Sequence, residues 1–109
     1  MKIYDCFIFF NENLITEIRL NILEKYVDYF VICESNYDHR GKFKGYLFDH
    51  NKFKDFNHKI IYLKIDKFPK DLGIWERQDY QRNFLMNGLK GTQPDDLIIY
   101  SDADEIINP

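Results

Sequence analysis

Apolar residues gather in four short runs along the chain, at residues 3–10, 29–33, 60–65 and 97–100. Each run is rich in β-branched and aromatic side chains and is nearly continuous rather than alternating. Runs of this kind match strands buried on both faces of a parallel sheet. Between them the spacing turns helical. Residues 13–27 place Ile15, Ile18, Ile22, Leu23 and Tyr26 on one broad face, with Asn11 or Asn13 as N-cap. Residues 47–56 predict a shorter, more polar helix. Residues 74–89 predict a strong one, ended by Gly91 with Pro94 beyond it. The resulting β-α-β-α-β-α-β order predicts an α/β fold, a mostly parallel sheet flanked by helices. The stretch SNYDHRGKFKG, residues 35–45, is the one long polar loop.

Composition narrows the picture. The chain has 109 residues, one domain or part of a larger one. Hydrophobic residues make up 45% and aromatic residues 17%, which supplies a packed core and argues against disorder. The net charge of −3 is spread along the chain without a basic block, so no nucleic-acid partner is expected. Cys6 and Cys33 each lie inside an apolar run, with no CxxC or Cys/His spacing, and read as buried thiols. No run is long enough to cross a membrane, and no cleavage site follows the first strand. A soluble, cytoplasmic protein is expected.

The chemistry concentrates where the fourth run ends, in DDLIIYSDADEI, residues 95–106. In extended backbone, residues two apart project to the same side, so Asp102 and Asp104 are expected to share one volume. Two uncompensated carboxylates there would repel. A divalent cation removes the conflict, and all-oxygen ligation suits magnesium or manganese. The alternative is an acidic turn with no ligand. On the helical pattern of 74–89, Trp75, Leu85, Met86 and Leu89 share a face with Arg82 at its middle and Gln78 beside it. A guanidinium there must be paired, for instance with Asp102, or must reach an anion such as a diphosphate with its bidentate fork. Arg77 and Gln81 form an i, i+4 pair on another, solvated side. Arg19 likewise lies within the apolar face of the first helix.

Asn11 and Glu12 stand in the first βα turn, the usual place for a nucleotide contact in such folds, although capping alone would explain them. Glu34 ends the second strand, where doubly wound nucleotide folds hold a ribose hydroxyl. No GxGxxG turn or P-loop is present. His39, His50 and His58 sit in polar surroundings and read as surface residues, with His39 and Arg40 best placed to touch a substrate. Asp66 after the third strand raises a receiver-like signalling domain. That reading wants an acidic pair after the first strand and a late lysine, and no lysine follows Lys90.

Four blocks carry a family resemblance: KIYDCFIFFNENLITEIRLNIL, VDYFVICESNYDHRGKFK, WERQDYQRNFLMNGL and DDLIIYSDADEI. In this order they resemble the family 17 glycosyltransferases, the β-1,4-mannosyl-glycoprotein 4-β-N-acetylglucosaminyltransferases and their relatives. The resemblance implies a GT-A-type, Rossmann-like fold, with residues 1–109 its N-terminal nucleotide-sugar-binding part, cut off after the D-x-D strand. It implies a UDP-sugar donor, UDP-GlcNAc, a carbohydrate or glycoconjugate acceptor, and Mn2+ or Mg2+ at the D-x-D. By the same resemblance Asp102 and Asp104 would serve the metal, and Asp102 the donor as well. Phe10, Asn11, Glu12 and Glu34 would line the nucleotide pocket. Arg77, Arg82 and Asn83 would lie near the diphosphate or brace the D-x-D loop. The acceptor contacts and the catalytic base would come from the part of the family domain beyond residue 109, and the membrane anchor of the Golgi enzymes is lacking. The expected activity is metal-dependent N-acetylglucosaminyl transfer, the alternative a non-catalytic nucleotide-sugar-binding unit.

Overall fold

The computed structural model describes residues 1–38 and 40–105, so His39 lies outside the described residues. Four strands form one sheet: β1 (Ile3–Phe9), β2 (Tyr29–Ser35), β3 (Ile60–Ile65) and β4 (Leu97–Tyr100). All pairings are parallel, in the order β3-β2-β1-β4. Helix α1 (Asn13–Leu23) connects β1 to β2, and α2 (Ile74–Phe84), continued by a 3₁₀ segment Leu85–Leu89, connects β3 to β4. The first crossover moves outward from β1 in one direction, and the second returns past β1 to its other side. The helices therefore cover opposite faces. Phe7 and Phe9 of β1 pack with Leu20 and Leu23 of α1, whereas Tyr4, Cys6 and Ile8 pack with Leu85, Tyr80 and Phe84. That is the alternation of successive strand residues to opposite faces.

Only the two central strands are buried on both faces. β3 is half-buried, and the edge strand β4 exposes Leu97, Ile98 and Tyr100, contrary to the expectation of a buried fourth strand. Burial keeps the thiols of Cys6 and Cys33 protonated, with both pKa values pushed up to about 12. Among the described residues no helix is long and apolar enough to cross a membrane.

Both helices turn a different face inward from the one their apolar spacing suggests. α1 buries Thr16, Arg19, Leu20 and Leu23, and leaves Leu14, Ile18, Ile22 and the following Tyr26 exposed. The rotation is about one residue, roughly 100°, and it brings Arg19 to a carboxylate in β1. α2 leaves Trp75 76% exposed and buries Gln81; in its 3₁₀ continuation Met86 is 68% exposed, while Leu85 of the expected face is buried. The Gln81 side-chain amide donates to the Cys33 carbonyl at 3.1 Å, so this residue is no part of a solvated face. Its continuation lies close on the sheet at Gly88, where a Cβ would stand 2.6 Å from a Val31 methyl.

The helix expected over 47–56 is reduced to a single 3₁₀ turn, Lys54–Phe56. Side chains compete there for the backbone groups a helix would use. The carboxylate of Glu34, fully buried at the end of β2, accepts Leu47 N–H (2.6 Å) and Phe48 N–H (3.2 Å), besides Lys44 Nζ (2.9 Å) and Tyr62 O–H (2.6 Å). Burial, and then the bond to Glu34, push the Tyr62 pKa up and keep its hydroxyl a donor. Asn13, the expected cap, instead bonds Leu47 C=O and Asp49 N–H, and Asp49 accepts Lys52 N–H. The loop after β2 is thus hung on Glu34 and Asn13.

Two outcomes test this packing. Gly88→Ala forces a methyl into the Val31 contact and is expected to cost about 1–3 kcal/mol, read as a lowered urea midpoint at unchanged slope. Glu34→Ala leaves Lys44 and two amide donors without their acceptor and is expected to cost about 3–5 kcal/mol. Hydrogen exchange in that variant should rise first at Leu47 and Phe48.

Candidate functional site

In a doubly wound sheet, ligands bind beyond the carboxyl ends of the strands, where the chain direction of the crossovers reverses. Here that point lies between β1 and β4. A cavity of about 590 Å³ occupies it, walled by Phe10 and Glu12 after β1, by Tyr100 at the end of β4 and Asp102, Ala103 and Asp104 after it, by Ile15 of α1, and by Gln78 and Arg82 of α2.

The acidic segment after β4 is a turn rather than extended backbone. Glu105 N–H closes it onto Asp102 C=O at 2.9 Å, and the Glu105 carboxylate returns to accept Asp102 N–H at 3.0 Å. Ala103 between the aspartates is buried, packing with Phe7 and Phe9 of the core, while Asp102 and Asp104 are exposed along the cavity. A small apolar residue at 103 therefore seats the turn, and its two neighbours are left to solvent.

What fixes the turn is Arg19. Its guanidinium is fully buried and forked onto Asp5, also fully buried, with Nε and Nη2 at 2.8 and 2.7 Å from the two carboxylate oxygens. Nη1 donates to the carbonyls of Asp102 (2.7 Å), Glu105 (3.1 Å) and, more distantly, Ala103 (3.4 Å). Nη2 also reaches Ser101 Oγ (2.6 Å). The Ser101 hydroxyl in turn donates to Glu105 C=O at 3.0 Å. All five N–H donors of the arginine are engaged, and its plane lies 4.4 Å from the Phe7 ring centroid. The sequence marks Arg19 as an anomaly on an apolar face but gives no partner. The missed signal is Asp5, a lone carboxylate inside the apolar run of β1.

Arg82, also lining the cavity, is exposed. It lies 3.4 Å from Tyr100 Oη and 3.4 Å from the Asp79 carboxylate, over the Tyr100 ring at 5.6 Å, and is not ion-paired with Asp102. The bond to Tyr100, with Asp79 and Asp102 behind it, pushes its pKa up. Glu12 uses one carboxylate oxygen to accept Phe10 N–H and Asn11 N–H at 2.9 and 3.1 Å. It holds the N-cap position of α1 without a side-chain cap bond.

The structure thus brings Phe10, Glu12, Arg82, Asp102 and Asp104 to one cavity. Asn11 and Asn83 are exposed and do not line it. Both oxygens of Glu34 are occupied by the protein's own donors. Arg77 lines a separate cavity of about 240 Å³ with Tyr37, Gly41 and Phe68, its guanidinium against Gly41. Gly41 has φ +86°, a conformation glycine adopts without strain.

The donor set suits a hard divalent cation: the carboxylates of Asp102 and Asp104, with Glu12 lining the same cavity. Among the described residues no group of three metal-ligating side chains converges. A cation here would complete its shell from water and phosphate, as magnesium commonly does.

Comparison with known proteins shows the family. The model of glycosyltransferase family 17 matches residues 1–109. The β-1,4-mannosyl-glycoprotein 4-β-N-acetylglucosaminyltransferases of Homo sapiens and Rattus norvegicus are each 37% identical over 101 residues, covering 83% of this chain. That of Mus musculus is 36% identical over the same length. The chain spans 19% of the length of these relatives. No solved structure matches. On the family model and on these identities, the chain belongs to glycosyltransferase family 17.

Proposed function

We propose that the cavity between β1 and β4 is the sugar-nucleotide donor site of a metal-dependent glycosyltransferase. The donor is UDP-GlcNAc, the cation manganese or magnesium, and the sugar passes to a glycan acceptor. The observation that carries this reading is the turn at 102–105, which presents Asp102 and Asp104 to a cavity that Arg82 also lines. The activity for which the relatives are named, N-acetylglucosaminyl transfer, supports the sugar.

In such a transfer the bond between sugar and diphosphate breaks and negative charge grows on the departing UDP. A bound cation would neutralise part of that charge as a Lewis acid. Asp102 and Asp104 would hold it. Arg82 matches a diphosphate with its fork and adds positive charge to the same cavity. Phe10 and Tyr100 offer ring surface for the nucleoside. Glu12, held by two amides, keeps the first βα turn in place beside them. Glu34 and Arg77 shape the adjoining loops rather than this cavity.

Calorimetric titration of UDP, with manganese and then with EDTA, tests the site. Binding is expected to need the metal, and Asp104→Ala is expected to abolish the metal-dependent part. Equal affinity in EDTA, or in that variant, would overturn the reading. Metal-dependent binding without transfer to any offered glycan would leave the 109-residue chain a donor-binding unit.

A further inference from the structure

We infer that Arg19 is a positioning residue for the donor site, aiming Asp102 and Asp104 into the cavity by holding the backbone carbonyls behind them. The inference rests on the proposed donor site.

Three features separate this role from ordinary core packing. First, Arg19 binds the turn through the carbonyls of Asp102, Ala103 and Glu105 and through Ser101 Oγ, and through neither aspartate side chain. With the carbonyls drawn inward, the side chains at 102 and 104 are left outward. Ala103, the residue between, turns into the core. Second, the charge on Arg19 is matched by Asp5, within the core. A cation paired with Asp102 would have competed with a metal for that carboxylate. The Asp5 partner leaves both turn aspartates available. Third, a buried ion pair is seldom the most stabilising way to fill a core, since apolar residues of similar volume commonly do as well. No apolar side chain, however, could bond three converging carbonyls. Five donors in one plane can.

The consequence is a split between folding and ligand affinity. Arg19→Lys keeps the charge beside Asp5 but loses the planar fork, so the turn is held by fewer bonds. Residues that orient metal ligands typically change metal affinity by about 10- to 100-fold when replaced. Manganese-dependent UDP affinity of the folded Arg19→Lys protein is expected to fall within that range. The ¹⁵N–¹H signals of residues 101–105 should shift and broaden while those of β2 stay in place. A purely structural role would instead lower the melting temperature and leave the affinity of the folded protein unchanged, which would overturn the inference. Should Arg19→Lys not fold, Ser101→Ala carries the test, since it removes one anchor of the turn and leaves the ion pair intact. A weakened metal-dependent affinity in Ser101→Ala supports positioning, and affinity within about twofold of wild type overturns it. The wild-type chain is titrated alongside. If it shows no metal-dependent UDP binding, the donor-site reading fails, whatever the variants do.

Discussion

The buried fork between Arg19 and Asp5 is the constraint on which the rest of this structure turns. Removing either partner from such a pair strands a charge in the core, at a cost of about 3–5 kcal/mol. The pair also decides which way α1 faces. Turning Arg19 to β1 moves Ile18 and Ile22 to the outside, an arrangement that apolar burial alone would not select. A helix of 11 residues has given up part of its apolar face to deliver one guanidinium to a fixed point under the carboxyl end of the sheet. Stability alone does not explain that exchange. The proposed donor site, which such a bond set would hold in place, accounts for it.

Much of this was legible in the sequence, and the places where it was not have physical causes. The four strands could be read because β-branched and aromatic runs of that length have few other uses, and their parallel order followed from the helices between them. The faces of α1 and α2 could not be read, because spacing reports where apolar residues lie and not which polar residue has a waiting partner. Asp5 and the Cys33 carbonyl are such partners, for Arg19 and Gln81. The segment 47–56 was misread for a related reason. Its composition permits a helix, but Glu34 and Asn13, distant in sequence, take up its amides and carbonyls first. The acidic turn was legible as a motif but not as a shape: it was expected in extended backbone, whereas the Glu105 bonds close it into a turn.

The same distinction sorts the candidate site residues. Topology brings Phe10, Glu12, Asp102 and Asp104, each just beyond a strand's carboxyl end at the reversal of the crossovers, to one cavity, and the Arg19 bonds then fix the turn that carries the two aspartates. Those on α2 depend on the roll of the helix. That roll turns Gln78 and Arg82 to this cavity and Arg77, next to Gln78 in sequence, to the separate smaller one. Glu34 sits at a strand end too, but one strand away from the reversal. There its carboxylate meets protein donors on every side.

The position of β4 raises a problem that Arg19 resolves. β4 is four residues long, lies at the edge of the sheet and, among the described residues, pairs only with β1. Short edge strands are the least firmly held part of a sheet, because pairing on one side alone restrains them. A turn that inherited its position from β4 would inherit that looseness, and a site loose by an ångström loses much of its affinity or rate. The turn is instead tied to α1 and, through Asp5, to β1, which is paired on both sides. The exposed carboxylates thus take their position from a fully buried ion pair rather than from the strand that precedes them. An acidic turn can stand at the rim of a small sheet, open to solvent, because the interior reaches out to hold it.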